Sequence, residues 1–422
     1  MRDTVAALAE KYAARFRKTL RPLRMVGREA EFPLVYPDGR AGDVLRLWEP
    51  LLARGRFVPR YDDPKAKTLI VALIGDDGTV EVEVGRGTVE LVLGPYEDLW
   101  QLAEGSRRLL GQVVDAAGES GMRVLGLGIH PRSRPSRDLM TPKRRYPYLA
   151  RAVGPAWWQF TTTAADQVHV DITRGEIVDA VNILNLLSAP LIALTANSSV
   201  YAGRAGRYLS GRERLLGKIG EGRAGMPTRP FHSVDEFVRY ICRYPCYVLR
   251  DRGGFRYYNR PFEGYVRRHG PELPAYLWHE HYTWNSARPR AHNSTIEIRP
   301  ACQQPHDAPL VVAALALGWV EALGELRVFL DETLKEPWAS MRRYRRAAIV
   351  QGLRAVEPVP GFVAQTLRIA EGGLRRRGRG EEGFLRPLWE RVTKRLTPGD
   401  RARVLVRSQG MAALIQAAAH RP

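Results

Sequence analysis

The chain has 422 residues, with 65 Lys and Arg against 45 Asp and Glu, a formal charge of +20, 45% hydrophobic and 26% charged content, and three cysteines. This composition excludes a disordered or collagen-like chain and a disulfide-built secreted domain, and it leaves room for a large core. The excess of base favours an acidic partner, whether nucleotide, nucleic acid or acidic protein, although the arginines are spread along the whole chain and can equally reflect compositional bias.

Cys242, Cys246 and Cys302 suit a reducing cytoplasm. The first 20 residues space their apolar positions helically and carry Asp3 and Glu10, so they do not read as a secretory signal. Nor is a membrane span expected: even residues 311–320 are flanked by Asp307 and Glu321 and contain Gly318.

In chain order, Asp3 caps a predicted helix through residue 18, with Val5, Leu8 and Tyr12 on one stripe. A strand follows at residues 25–34, MVGREAEFPL, where Glu29 and Glu31 share a face because strand side chains two apart point the same way. Residues 45–53 read as a short helix and 60–67 as a polar loop. Strands at 68–74 and 79–84 flank the Gly75-Asp76-Asp77-Gly78 turn. The segment 79–95, TVEVEVGRGTVELVLGP, is two alternating runs joined by Gly85-Arg86-Gly87. Glu81 and Glu83 oppose Val80, Val82 and Val84, and Glu90 follows between Val89 and Leu91. Three carboxylates on one antiparallel ribbon repel unless a cation or solvent separates them.

Residues 96–118 form a predicted packing helix, 123–129 a buried strand and 132–145 a basic loop. QVHVDI at 167–172 places Gln167, His169 and Asp171 on one face. Residues 177–196 read as a long apolar helix kinked by Pro190. Ser233 and Glu236 open a helix through Cys242 as a capping box, and 247–258 suggests a strand pair around Gly253-Gly254. TIEIR at 295–299 sets Thr295, Glu297 and Arg299 opposite Ile296 and Ile298. From Asp307 the chain turns helical, over 309–330, 337–356, 361–375, 384–395 and after Thr397-Pro398. The expected class is α+β, with a catalytic sheet region and packing helices over residues 1–306 and a helical layer over 307–422.

Any one of the polar strand faces can simply be solvated. Together, their carboxylates and single histidine make the oxygen-rich donor set of Mg2+ or Mn2+ rather than the Cys/His set of structural zinc. Such a site calls for a phosphate-rich counterpart, and Lys143, Arg145, Arg212 and Arg223 are loop-borne candidates to contact it, with glycines close to the last two. No Walker run or nucleophile elbow is present, and no Gly-x-Gly-x-x-Gly follows a strand and opens a helix. His279 and His281, in LWHEHYTW, read as core or substrate contacts among aromatics. The basic residues do not gather into one tract with interleaved aromatics, which argues against nucleic acid as the partner.

Taken in order, GREAEF, VEVGRGTVELVLGP, VLGLGIHP, TPKRRYPYL, ADQVHVDI, LSAPLIALTANSS, LSGRERL, GRAGMP, WHEHYTW, TIEIRPACQQP and LTPGDR resemble the glutamate-cysteine ligase family of the plant and alpha-proteobacterial type, a branch of the glutamine synthetase-like ligases. The resemblance implies an antiparallel sheet funnel, ATP as co-substrate, and Mg2+ or Mn2+ between ATP and glutamate. It also implies an acyl phosphate that the amine of cysteine attacks to give γ-glutamylcysteine. Carried over, Glu29, Glu31, Glu83, Glu90, His169 and Glu297 resemble metal ligands. Lys143, Arg145 and Arg223 resemble phosphate contacts, Arg212 and Arg299 catalytic cations, and Arg290, Gln167 and Cys302 substrate contacts. Cys302 stands where the family usually has an aspartate, and Trp157-Trp158-Gln159-Phe160 also departs from the family pattern. These departures leave open another amine acceptor, including an acidic peptide or carrier protein.

Overall fold

The strand that carries Glu29 and Glu31, β1 (Val26–Val35), lies in the middle of the largest sheet of a computed structural model that describes residues 3–251 and 254–421. The other strands of this sheet are β2 (Val58–Tyr61), β3 (Ile70–Gly75), β4 (Gly78–Val82), β5 (Thr88–Tyr96), β6 (Arg123–Val124), β7 (Asp166–Asp171), β8 (Ala287–Arg290) and β9 (Thr295–Ile298). Their order is β8-β9-β7-β1-β5-β4-β3-β2, every pairing is antiparallel, and β6 pairs with the end of β1 alone.

Alternation gives this sheet two unlike faces. Ala30, Phe32, Val80, Val82, Leu91, Leu93, Val168, Val170 and Ile296 are buried in one apolar core. Against that face pack the helices Leu99–Glu119 and Val311–Glu321, the second with every residue from 311 to 320 buried. The register sets the polar side chains of the opposite face side by side. Glu31 and Glu81 both pair with Glu90, while Glu297 stands between His169 and Arg288.

Where the structure departs from the expected elements, competing backbone partners explain it. The first helix ends at Ala13 rather than residue 18, because Arg17 N donates to Ser294 Oγ and Arg17 O accepts from Arg174 N. Of the strand expected at 123–129 only β6 forms. Beyond it, Leu125, Gly126 and Gly128 donate in turn to Pro33, Ala418 and Asn197, so the segment threads the core without a single partner strand. The long apolar helix breaks at Leu187 into Ile177–Leu186 and Ser188–Thr195, bent by 47° as Pro190 dictates. Ser233 caps Val234–Cys242, but Glu236 reaches back to His232 N, so the reciprocal half of the box is shifted by one residue. The strands Pro245–Asp251 and Gly254–Pro261 pair as expected, and Gly253 lies outside the described residues. Among the described residues no single helix is long and apolar enough to cross a membrane.

The helices Val311–Glu321 and Phe362–Arg377 cross in close contact. A Cβ on Gly373 would stand 2.3 Å from Gly318 O, whereas one on the adjacent Gly372 would meet nothing nearer than Arg376 Nη1 at 3.7 Å. Gly373→Ala is therefore expected to destabilise the fold by about 3 kcal/mol. Gly372→Ala is expected to be neutral or stabilising by up to about 1 kcal/mol. Urea unfolding of the two variants checks the contrast.

Candidate active site

The polar face of the sheet floors a cavity of about 280 Å³. Glu29 and Glu31 of β1, Glu90 of β5, Gln167 of β7 and Arg290 of β8 reach it from strands, and Glu83 and Arg299 from just beyond strand ends. Lys143, Arg145 and Arg212 close it from the loop before the Tyr146–Val153 helix and from the Gly211–Leu216 helix. An adjoining cavity of about 400 Å³ is lined by Glu29, His169 and Thr295 together with Arg17, Arg21 and His292.

Six acidic and imidazole side chains sort into two triads, Glu29-His169-Glu297 and Glu31-Glu83-Glu90, with ligand atoms within 4.8 Å of one another in each. In the first triad His169 Nε2 stands 3.0 Å from Glu29 Oε1, and its Nδ1 stands 3.2 Å from Thr295 Oγ1, which fixes the ring. Arg288 grips Glu297 through two hydrogen bonds of 2.8 and 3.0 Å, Arg290 Nε approaches it at 3.3 Å, and Arg299 contacts it as well. Burial alone would raise the Glu297 carboxyl, but these three guanidinium groups hold it well below the usual carboxylate range. Burial also acts upward on Glu29, and His169 brings it below its ordinary value.

The second triad has no such relief. Glu31 accepts hydrogen bonds from Gln167 Nε2 (2.9 Å) and Ala165 N (2.7 Å), yet burial and then the Glu83 carboxylate push it up to about 8. Among the described residues the Glu90 side chain has neither hydrogen bond nor ion pair, and burial followed by Glu83 and Glu29 drives it well above the ordinary range. Gln167 Oε1, Arg145 Nε and Arg212 Nε are buried without partners beside it. A hard divalent cation fits this donor set. It would satisfy carboxylates that otherwise share protons, and the unpartnered amide oxygen is a further oxygen donor.

The sequence matches glutamate-cysteine ligase family 2 (GCS2) over residues 25–410. The chain belongs to that family. The "Putative glutamate--cysteine ligase 2-3" of Rubrobacter xylanophilus is 29% identical over 301 residues, which cover 70% of this chain and 68% of the relative. The chloroplastic glutamate-cysteine ligase of Arabidopsis thaliana is 26% identical over 349 residues, covering 79% of this chain and 66% of the relative. The chain spans about two thirds of the length of these relatives. Among solved structures, the Francisella tularensis glutamate-cysteine ligase in complex with AMP is 12% identical with a TM-score of 0.57, covering 96% of this chain and 88% of that one. A bifunctional glutathione synthetase from Pasteurella multocida is 13% identical with a TM-score of 0.57, covering 98% of this chain and 54% of that one. At such identities the two structures show a shared fold. Membership of glutamate-cysteine ligase family 2 makes the chain an ATP-dependent carboxylate-amine ligase.

For this ligase, ten of the expected site residues line the main cavity, and His169 and Glu297 join it through Glu29. Two residues lie elsewhere. The Arg223 guanidinium stacks 3.7 Å from the Tyr247 ring centroid and donates to Tyr282 O and Pro245 O at 2.9 Å, so it braces the wall instead of lining the cavity. Cys302 is buried behind Arg212. Its Sγ is 3.2 Å from Ser198 Oγ, which accepts from Arg212 N at 3.0 Å. His281 lines the cavity, whereas His279 is buried, stacked on Phe262 with Nε2 2.9 Å from Ile241 O. Sequence reasoning missed Arg288, although it stands two residues before Arg290 and so shares its strand face. It also did not join Tyr146 and Phe160 to Tyr282 and Trp284 as one aromatic wall, because the two pairs lie more than 120 residues apart in the chain.

The charge state of the second triad links stability to pH. A carboxyl raised from 4.5 to about 8 keeps its proton in the folded chain while the unfolded chain releases it, so Glu31 lowers stability as pH rises through that window. Glu90, raised likewise, adds to the loss. Thermal midpoints of chelator-treated protein are expected to fall between about pH 5 and about pH 8, and the gain on adding Mg2+ or Mn2+ to grow over that range. A gain independent of pH, read by differential scanning calorimetry, contradicts this assignment.

Proposed function

We propose that the chain joins the γ-carboxylate of glutamate to the amine of cysteine, using ATP and Mg2+ or Mn2+. The observation that carries this reading is the pair of triads, Glu29-His169-Glu297 and Glu31-Glu83-Glu90, beside a cavity that also presents Lys143, Arg145, Arg212, Arg290 and Arg299. The triads are the residues that would hold the cations. When bound, these would polarise phosphate oxygens and offset their charge.

The remaining work falls to the chain's own side chains. Lys143, Arg145 and Arg212 contact the phosphates, and Arg290 and Arg299 orient the carboxylates of glutamate. A γ-carboxylate oxygen attacks the γ-phosphorus of ATP and ADP departs. The amine nitrogen then attacks the acyl carbon and phosphate departs. Lys143 Nζ donates to the Val82 carbonyl at 2.6 Å, which aims its remaining hydrogens to donate to a phosphate oxygen. The cavity walls keep water from the acyl phosphate. An acceptor larger than cysteine is the second reading, favoured by the aromatic wall of Tyr146, Phe160, Tyr282 and Trp284.

Phosphate release from Mg-ATP and glutamate across a panel of amines, with product masses read in parallel, tests both readings. Release that requires cysteine, with a product one glutamyl unit heavier than cysteine, is expected. Release with another amine moves the acceptor to the second reading, and release without glutamate overturns the donor assignment. Glu31→Gln and Glu297→Gln are each expected to lower turnover by at least about a hundredfold with the circular dichroism spectrum kept.

A further inference from the structure

The acceptor half of the proposed reaction calls for one group that neither the triads nor the arginines supply. The amine of an amino acid is largely an ammonium ion at neutral pH, with no lone pair for attack on an acyl carbon. A base in the catalytic cavity has to free that pair. Of its ionisable lining residues, the four triad carboxylates are committed to the cations, Lys143 and the five arginines are hydrogen-bond donors, and Glu81 is paired with Arg60 at 2.6 Å. Burial raises the hydroxyls of Tyr146 and Tyr282, which therefore keep their protons. What remains is His281.

His281 is firmly placed, yet its ring is unengaged. The residue caps the C-terminus of the Leu273–Glu280 helix, where its N donates to Leu277 O at 3.1 Å and its carbonyl accepts from Arg288 Nη1 at 2.9 Å. The ring lies nearly parallel to that of Trp278, with centroids 6.2 Å apart, and meets Tyr282 of the aromatic wall edge-on at 4.9 Å. Among the described residues no hydrogen bond or ion pair engages either ring nitrogen. By contrast, His169 is held by Glu29 and Thr295, and His279 Nε2 stands against Ile241 O. His281 is half-buried and both its nitrogens keep accessible surface, unlike the enclosed His279 Nδ1. Burial, followed by Arg290, Arg288 and Arg145, holds the ring well below its ordinary value against an opposing effect of Glu297, so it stands neutral. The carboxylates and phosphates of bound substrates would offset those guanidinium charges and strengthen the base.

We propose, resting on the ligase reading above, that His281 is the catalytic base of the acceptor half, taking a proton from the amine that attacks the acyl phosphate. A ring nitrogen takes one proton from the ammonium, and the freed lone pair forms the C–N bond at the acyl carbon. The C–O bond to phosphorus's oxygen then breaks with its electron pair, the second amine proton leaves on the phosphate, and the imidazolium returns its proton to solvent.

Two acceptors separate this role from a structural one. Cysteine, or the amine that the panel selects, needs the base, whereas hydroxylamine is largely unprotonated at neutral pH and does not. His281→Gln is expected to lower cysteine turnover by about a hundredfold, while γ-glutamyl hydroxamate formation falls by less than about threefold and the circular dichroism spectrum is kept. Its residual cysteine rate is expected to climb with pH toward the amine's own pKa, more steeply than that of the parent chain. His281→Asn is expected to behave alike, so one folded variant suffices. Equal losses with the two acceptors, or no loss with cysteine, overturn the role of His281 while hydroxamate made by the parent chain upholds the ligase reading. A parent chain that makes neither product from ATP and glutamate overturns the ligase reading, and the base with it.

Discussion

Negative charge confined away from water is the constraint around which this structure is arranged. Unit charges about 4 Å apart interact by about 4 kcal/mol at an effective dielectric near 20, and Glu31, Glu83 and Glu90 bring ligand atoms within 4.8 Å of each other. Glu297, 1% exposed, meets the constraint with three guanidinium groups, whereas Glu31 and Glu90 meet it by holding protons. One cavity thus contains a charge-balanced half and a half that remains short of positive charge. That asymmetry sets the second triad apart from the first.

Elements remote in sequence serve this arrangement. The Tyr12 hydroxyl of the first helix lies 2.8 Å from Glu280 Oε1, and the other oxygen of Glu280 faces Arg290 Nη1 at 3.9 Å. From the C-terminal helices, Arg345 contacts Glu213, whose other oxygen accepts from Arg212 Nη1 at 2.5 Å. Arg290 and Arg212 therefore face carboxylates that are themselves held from outside the sheet. Buried pairs of this kind contribute little net stability beside an apolar isostere, so their use here lies in orientation.

Much of this was legible in the chain itself, for a physical reason. Alternation with period two is local, so GREAEF, VEVEV, QVHVD and TIEIR each disclosed both a strand and a polar face, and six side chains read from them or from the turn beside them fell into the two triads. Periodicity alone left the role of those faces open between metal and solvent, and the family resemblance implied metal. Features set by tertiary partners were not legible. Residues 125–129 look like a strand because they are apolar, but their backbone bonds go to separate segments. Arg223 looks like a phosphate contact because glycines surround it, but it sits outside the cavity lining, stacked on Tyr247 and donating to two carbonyls.

The alternation in β1 also governs how this chain can change over generations. Glu29 and Glu31 face the catalytic cavity only because Arg28, Ala30 and Phe32 face the other way. Losing or gaining one residue upstream of Glu29 within Val26–Val35 would exchange the two sets wholesale, placing carboxylates in the apolar core and an aromatic ring in the active site. The strand can therefore drift by replacement but not by length. A loop such as the basic segment before Tyr146 carries no such constraint, because no side chain's facing there depends on counting.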